Sequence, residues 1–320
     1  MSLNIEDMSI ERPAAPSRDG GLFRIRMDLS YDGAAFYGWA AQDGLPTIQG
    51  SLEAALEVLI RRPVRLTVAG RTDSGVHARG QVVHFDLTES EWAGLSRGAA
   101  LTPAEALVRR MRGILNKDLT MALRRAKAPK RAIHAMEGAI TVRSASVAPE
   151  GFDARFSALW RRYSYRIADR DASRDPLTRN TTLWHDFALD VVRMNAAAEA
   201  VLGVRDFLSY CKPRTGATTV RELQEFSFLR RPDGVIEAHV QADAFCHNMV
   251  RSLVGGAILV GAGERTPEWL ERRLLARIRD SKSLLAAPHP LILEEVRYPA
   301  DAELHRRAES TRAKRPVSGF

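Results

Sequence analysis

The chain is 320 residues long, with 45% hydrophobic and 27% charged residues, the balance of a water-soluble globular protein of one large or two ordinary domains. Lys plus Arg number 47 against 39 for Asp plus Glu, a net charge of +8 carried mostly by arginine, which favours a polyanionic partner because guanidinium groups bind phosphates bidentately. No apolar run approaches a membrane span, the first twenty residues are too polar and acidic for a signal peptide, and the 2 cysteines, Cys211 and Cys246, form neither a metal-spaced pair nor a disulfide framework, so a reduced, cytoplasmic compartment is expected.

Residues 1–21, with Pro13, Pro16 and Gly20-Gly21, read as a flexible arm. From Leu22 to Leu29 apolar residues alternate with Arg24, Arg26 and Asp28, the pattern of a half-buried strand. A turn, Ser30-Tyr31-Asp32-Gly33, leads to the aromatic cluster Phe36-Tyr37-Gly38-Trp39, which fits core packing beneath a loop and RNA contact equally well. A helix begins near Thr47, with Ile48, Leu52, Leu56 and Leu59 at helical spacing, and closes at Arg61-Arg62-Pro63. Two β-type runs, Val64 to Val68 and Gln81 to Phe85, then flank Ala69-Gly70-Arg71-Thr72-Asp73-Ser74-Gly75-Val76-His77-Ala78. Composition alone favours a plain polar turn for that stretch, with Gly75 supplying a positive φ.

Thr102-Pro103-Ala104-Glu105 caps a helix that continues towards Leu115. From Arg109 to Arg131 nine cations face one acid, Asp118; part of that run suits a solvated helical face, and the whole suits attraction to phosphate or a mobile basic loop. Trp160 to Ile167 is strand-like, with Tyr163, Tyr165 and Ile167 on one face and Arg162, Ser164 and Arg166 on the other. A helix over 190–203, a hairpin of Leu223–Leu229 and Val235–Ala242 around Pro232-Asp233-Gly234, and an apolar helix from Met249 to Val260 follow. Thr266-Pro267-Glu268 caps a further helix whose buried stripe is expected to be Leu270, Leu274, Leu275 and Ile278. Ile292 to Tyr298 forms a last strand, and the polar, basic tail over 304–320 is expected to be mobile. Two halves, each mixing antiparallel-type strands with one or two helices, predict an α+β fold. There is no glycine-rich dinucleotide or nucleoside-triphosphate loop.

Metal ligation finds no support, since His77 and His84 lie in no HExxH or CxxC pattern, and His247 reads as a surface or satisfied core residue. A G-x-S-x-G elbow is also missing, which leaves Asp73 as the most plausible reactive carboxylate and arginines as its abundant partners. Here the motifs become specific. Gly70-Arg71-Thr72-Asp73-Ser74-Gly75-Val76-His77-Ala78 resembles the active-site motif of the TruA family of tRNA pseudouridine synthases. Four further segments match in order: Tyr31-Asp32-Gly33 with Phe36-Tyr37-Gly38-Trp39; Gly80 to Phe85; Phe156-Ser157-Ala158 with Arg161, Tyr163 and Tyr165; and Ala244-Phe245 with Met249-Val250-Arg251 and Val254-Gly255.

The resemblance, from about Leu22 to Pro299, implies a pseudouridine synthase fold: two similar halves with largely antiparallel sheets around a central RNA-binding cleft. It implies a 22–118 catalytic-loop domain, a basic insertion over 119–137, and a C-terminal domain over 138–303. It implies isomerisation of uridine to pseudouridine at positions 38, 39 and 40 of the tRNA anticodon stem-loop, by a cytoplasmic homodimer. No atoms are gained or lost, so neither a redox or energy cofactor nor a metal is required. Asp73 is then the catalytic nucleophile or base, and Arg251 its ion-pair partner. Tyr163 is the tyrosine that stacks on the uracil and assists proton transfer. Arg71 helps flip the base from its stem, and His77 and Arg161 are candidate substrate contacts. The chain departs from the family pattern at Ala40, Asp153, Arg205 and the basic 119–137 segment. A non-catalytic RNA-binding protein, a synthase for another RNA and a glycoside hydrolase are the rival classes; the last would require a paired acid.

Overall fold

The computed structural model describes residues 21–98, 100–125, 127–212, 218–278 and 285–313. The expected arm over 1–21 lies outside them except for Gly21, as does the end of the tail. The elements are β1 (Leu22–Tyr31), α1 (Ile48–Ile60), β2 (Thr67–Val68), β3 (His77–Thr88), α2 (Glu89–Gly94), α3 (Pro103–Arg125), α4 (Lys130–Met136), β4 (Ile140–Val147), β5 (Trp160–Ala168), β6 (Leu183–Trp184), α5 (Val191–Glu199), β7 (Gly203–Asp206), β8 (Val220–Arg230), β9 (Ile236–Ala242), α6 (Met249–Gly261), α7 (Glu268–Ala276), β10 (Leu291–Arg297) and α8 (Leu304–Arg312).

The class is α+β, as expected, but the two halves share one ten-stranded sheet in the order β4-β1-β3-β10-β5-β9-β8-β7, with β2 on β3 and β6 on β5. The joint is β10, which runs parallel to β3 at His77↔Ile292 and Ala78↔Leu293 and antiparallel to β5 at Leu293↔Tyr163. Gly80 permits the close approach there, because a Cβ at that position would overlap the Glu294 carbonyl oxygen. One register row therefore crosses the sheet through Ile140, Tyr31, Ala78, Leu293, Tyr163, Val240 and Phe226. Directly opposed residues share a face, so Tyr31 of one half and Tyr163 of the other lie on the same side of the sheet. All seven are buried.

Local chemistry explains the elements. Thr47 caps α1 by accepting the Gly50 N–H at 3.2 Å, and the helix stops at Arg61 in the left-handed region (φ 66). Its stripe of Ile48, Leu52, Leu56 and Leu59 is buried, as the spacing predicts. Thr88 and Glu91 form a capping box that starts α2. α3 begins at Thr102-Pro103 as expected but extends ten residues beyond Leu115, to Arg125. Leu107, Met111 and Leu115 form its buried stripe, while Arg109, Arg112, Lys117, Arg124 and Arg125 are exposed. The basic 119–137 segment is thus the end of α3, a turn and α4, tied back by Arg124 to Glu137 at 2.7 Å, rather than a loop.

Three other expectations change. β4, assigned from sequence to the C-terminal half, pairs with β1 and forms the outer strand of the N-terminal half. The tail is folded as far as α8: Leu304 and Ala308 are buried, and Arg312 reaches the Asp153 carboxylate at 2.8 Å. In α7 only Leu270 and Leu274 are buried; of the other two residues expected in the stripe, Leu275 lies on the exposed face of the helix, and Ile278 lies beyond its end at the left-handed Arg277 and is exposed.

Candidate active site

The Gly70–Val76 loop is held at nearly every residue. The Tyr31 and Thr72 hydroxyls meet at 2.8 Å, and the Gln81 amide donates to both the Tyr31 hydroxyl and the Gly70 carbonyl, at 3.1 and 2.8 Å. The Trp39 N–H donates to the Thr72 carbonyl, the Gly75 N–H to that of Phe36, and the Val76 N–H closes the turn on the Asp73 carbonyl, at 3.0, 3.3 and 3.1 Å. Gly75 occupies the third turn position at φ 77, a conformation that side chains resist. Gly38 has φ 85, and a Cβ there would lie 2.9 Å from the Thr72 oxygen and 3.1 Å from the Asp73 carbonyl carbon. Phe36 and Trp39 are buried beneath the loop and Tyr37 is exposed, so the aromatic cluster divides into two supports and one surface residue.

On this support the Asp73 carboxylate stays 29% exposed, with a nitrogen of another side chain near each oxygen. Arg251 Nη1 lies 3.6 Å from Oδ2, and His247 Nε2 lies 3.4 Å from Oδ1. Arg251 comes from the first turn of α6, and its Nε donates to the Ala286 carbonyl at 2.8 Å, which aims the rest of the guanidinium. Arg71, on the same loop, is exposed and has no side-chain partner among the described residues, so it is free to meet a phosphate.

Tyr163, from β5, is 7% exposed, its ring edge-on to Phe245 with centroids 5.2 Å apart. Burial, reinforced by the Tyr31 and Asp73 charges, pushes its phenol well above the usual tyrosine range, against a smaller pull from Arg161. The group is therefore neutral near pH 7, a donor rather than a base.

Two candidate substrate contacts face inward instead. His77 is buried, its Nδ1 3.1 Å from the Gly33 nitrogen and 3.0 Å from Asp32 Oδ1, where it holds the Asp32 carboxyl below the usual range. It fastens the Asp32–Gly33 turn under the loop. Arg161 is also buried and donates to three carbonyls, those of Asp243, Ala69 and Arg155, at 2.6, 2.8 and 2.6 Å. It clamps the start of the Gly70–Val76 loop to β5 and to the segment before α6. His84 is buried as well, accepting the Ala154 N–H at 2.9 Å. Asp153, a departure from the family pattern, accepts the N–H groups of Arg155 and Phe156 at 2.8 and 2.9 Å, so its role is to hold a turn.

His247 is the residue that sequence reasoning missed. The available signal was its place four residues before Arg251 in the same segment, although the left-handed Asn248 between them means that no helical spacing joins the two. The cysteine expectation also changes: Cys211 and Cys246 are joined in a disulfide across 35 residues, with Cα atoms 5.7 Å apart. Their spacing matches no sequence framework because the two are brought together by tertiary packing, where the Lys212 N–H also donates to the His247 carbonyl at 2.9 Å. Among the described residues no three His, Cys, Asp or Glu side chains converge as a metal ion would require. Nor is any helix among them long and apolar enough to cross a membrane.

The constellation is a partly open carboxylate on a rigid loop, a guanidinium near one oxygen and an imidazole near the other, a neutral phenol within electrostatic reach, and an exposed arginine on the same loop. That suits a nucleophile or base that acts on an uncharged ring presented by a polyanion.

Comparison with known proteins identifies the family. The model of a family described as tRNA pseudouridine synthase matches residues 197–299, which include His247 and Arg251. The chain is 48% identical over 302 residues to tRNA pseudouridine synthase A of Streptomyces griseus, covering 93% of this chain and 96% of that protein. It is 47% identical over 296 residues to the protein of that name from Frankia casuarinae, covering 92% and 96%. With that of Bifidobacterium longum it shares 40% over 322 residues, covering 92% and 99%. With similarity of this level across both halves, the chain belongs to the tRNA pseudouridine synthase A family.

Proposed function

We propose that this protein isomerises uridine to pseudouridine at positions 38, 39 and 40 of tRNA anticodon stem-loops, as a cytoplasmic homodimer, with Asp73 as its catalytic carboxylate. The observation that carries the reading is the Asp73 carboxylate itself, 29% exposed and flanked by His247 and Arg251 on a loop anchored from both halves of the sheet. Isomerisation breaks the N1–C1′ bond and joins C1′ to C5; the proton lost from C5 is balanced by the one gained at N1. A carboxylate serves as nucleophile or base, and Arg251, 3.6 Å from its Oδ2, orients it. Tyr163, kept neutral by burial, is the surface on which the uracil stacks and a donor for the proton steps.

A base in a stem must leave its stack to reach Asp73, at a cost of a few kcal/mol. Arg71 meets the strand from which it flips, and phosphate contacts along the exposed cations of α3 and α4 offset that cost. Recognition through the backbone suits A-form RNA, whose deep major groove hides base edges, and three adjacent target positions.

The test is to incubate the protein and its Asp73→Ala variant with unmodified tRNA transcripts and to map pseudouridine. Product confined to positions 38–40 and abolished in the variant is expected. No product from the unaltered chain would leave a non-catalytic RNA-binding protein; product from Asp73→Ala would remove Asp73 from the chemistry. Product only at other sites would reject the position assignment. A variant with Arg112, Lys117, Arg124 and Arg125 changed to Gln should show a shallower salt dependence of tRNA binding, by about 0.7 to 0.9 in log–log slope per lost phosphate contact. An equal slope would remove α3 from the interface.

A further inference from the structure

Arg251 comes nearest the Asp73 carboxylate at Oδ2. Its Nη1 is 3.6 Å from Oδ2, while its Nε is committed to the Ala286 carbonyl at 2.8 Å. A carboxylate gripped at one oxygen can still swing about its terminal torsion, which is broad and roughly two-fold. The second oxygen faces His247, whose Nε2 lies 3.4 Å from Oδ1.

The backbone that carries His247 is pinned on every side. Its carbonyl accepts the Lys212 N–H at 2.9 Å, the preceding Cys246 is cross-linked to Cys211, and the Met249 N–H donates to the Cys246 carbonyl at 3.0 Å. The following Asn248 takes a left-handed conformation (φ 71), so the chain turns into α6 with His247 and Arg251 both facing Asp73. A left-handed non-glycine residue at a helix start is uncommon and is retained where the surrounding structure over-determines it. One helix entrance thus supplies a nitrogen donor to each carboxylate oxygen.

We propose that His247 is a second positioning residue for the catalytic carboxylate, holding Oδ1 while Arg251 holds Oδ2. Together they fix the plane in which the carboxylate meets the flipped uridine. The contact is at ion-pair distance without substrate, and such contacts tighten in the reactive complex. The proposal rests on Asp73 being the reactive carboxylate of a pseudouridine synthase.

The experiment is single-turnover pseudouridine formation on an unmodified tRNA transcript, with tRNA affinity measured separately, for the unaltered chain, His247→Ala, His247→Gln and Asp73→Ala. Losing one hydrogen bond to a charged acceptor should slow His247→Ala about tenfold, with tRNA Kd within about twofold. His247→Gln can place an amide N–H near the Nε2 position and should recover the rate to within about threefold. An unchanged rate in His247→Ala, a loss confined to Kd, or a glutamine variant no faster than the alanine one would each overturn the role of His247. An inactive unaltered chain, or an active Asp73→Ala variant, would instead overturn the reading of Asp73.

Discussion

Replacing Arg161 with Met should loosen the catalytic loop and leave the grip on RNA intact. The guanidinium is 5% exposed and its donors go to the carbonyls of Asp243, Ala69 and Arg155, at 2.6, 2.8 and 2.6 Å. Each hydrogen bond from a charged donor contributes about 1.5 to 3 kcal/mol, and Met can replace none of them. Removing the cation also relieves its own desolvation penalty, so the net loss is about 3 kcal/mol, not the full sum. At about 2 °C per kcal/mol for a chain of this size, the melting temperature should fall by about 6 °C. The loss should be concentrated at the Ala69 carbonyl, so the Gly70–Asp73 amides should exchange faster with deuterium than those of α1. The salt dependence of tRNA binding reports the alternative role directly. An unshifted melting temperature together with a salt slope reduced by about one phosphate contact would refute the clamp and return Arg161 to the RNA surface.

Gly38→Ala should lower the pseudouridine rate far more than tRNA affinity, because φ 85 and a Cβ 2.9 Å from the Thr72 oxygen displace the loop that carries Asp73. A full rate in single-turnover assays would refute that reading. Thiol titration of the protein without reductant should find Cys211 and Cys246 unreactive. Reduction should then lower the melting temperature, since the cross-link closes 35 residues and contributes up to about 4 kcal/mol; coincident melting curves would refute the linkage. Glu91 is held at about 2, from an ordinary 4.5, chiefly by its hydrogen bond from Arg62, with a further hydrogen bond from the Thr88 N–H. Its folded-state value is depressed, so its contribution is complete above pH 4.5 and is lost as the pH falls towards 2. Glu91→Gln should flatten that part of an acid denaturation curve, and an unchanged acid limb would count against the pairing.

The helix α1, the β8–β9 hairpin and the alternation of β1 were legible because each carries a local signal: a cap, a turn dipeptide or a period. The loop that carries Asp73 was legible because its motif is contiguous. Arg161 was misplaced although the alternation held the answer. Odd-numbered residues of β5 bury Tyr163, Tyr165 and Ile167, and Arg161 belongs to that face. What the pattern could not show is that three loop carbonyls wait there to satisfy a guanidinium. His77 was misplaced for a similar reason, since a polar residue in a motif reads as functional until its partner, the Asp32–Gly33 turn, is seen. His247 lies 174 residues from Asp73, and no periodicity connects positions that only the sheet brings together. The disulfide and β4 were missed on the same ground. Their partners are set by tertiary packing, not by spacing.

The place of β10 governs when the protein becomes able to act. Asp73, Tyr163, His247 and Arg251 have all been synthesised before Leu291, yet β3 and β5 have no strand between them until β10 arrives. A growing chain of that length carries all four of these side chains and two unpaired strand edges, the form most open to wrong pairing. Loop closure across more than two hundred residues, as at His77↔Ile292, is also the slow step expected of such a topology. Competence should therefore arise late and all at once in the life of each molecule, when Leu293 slides between Ala78 and Tyr163. The last of the ten strands to be made joins the carboxylate to its tyrosine.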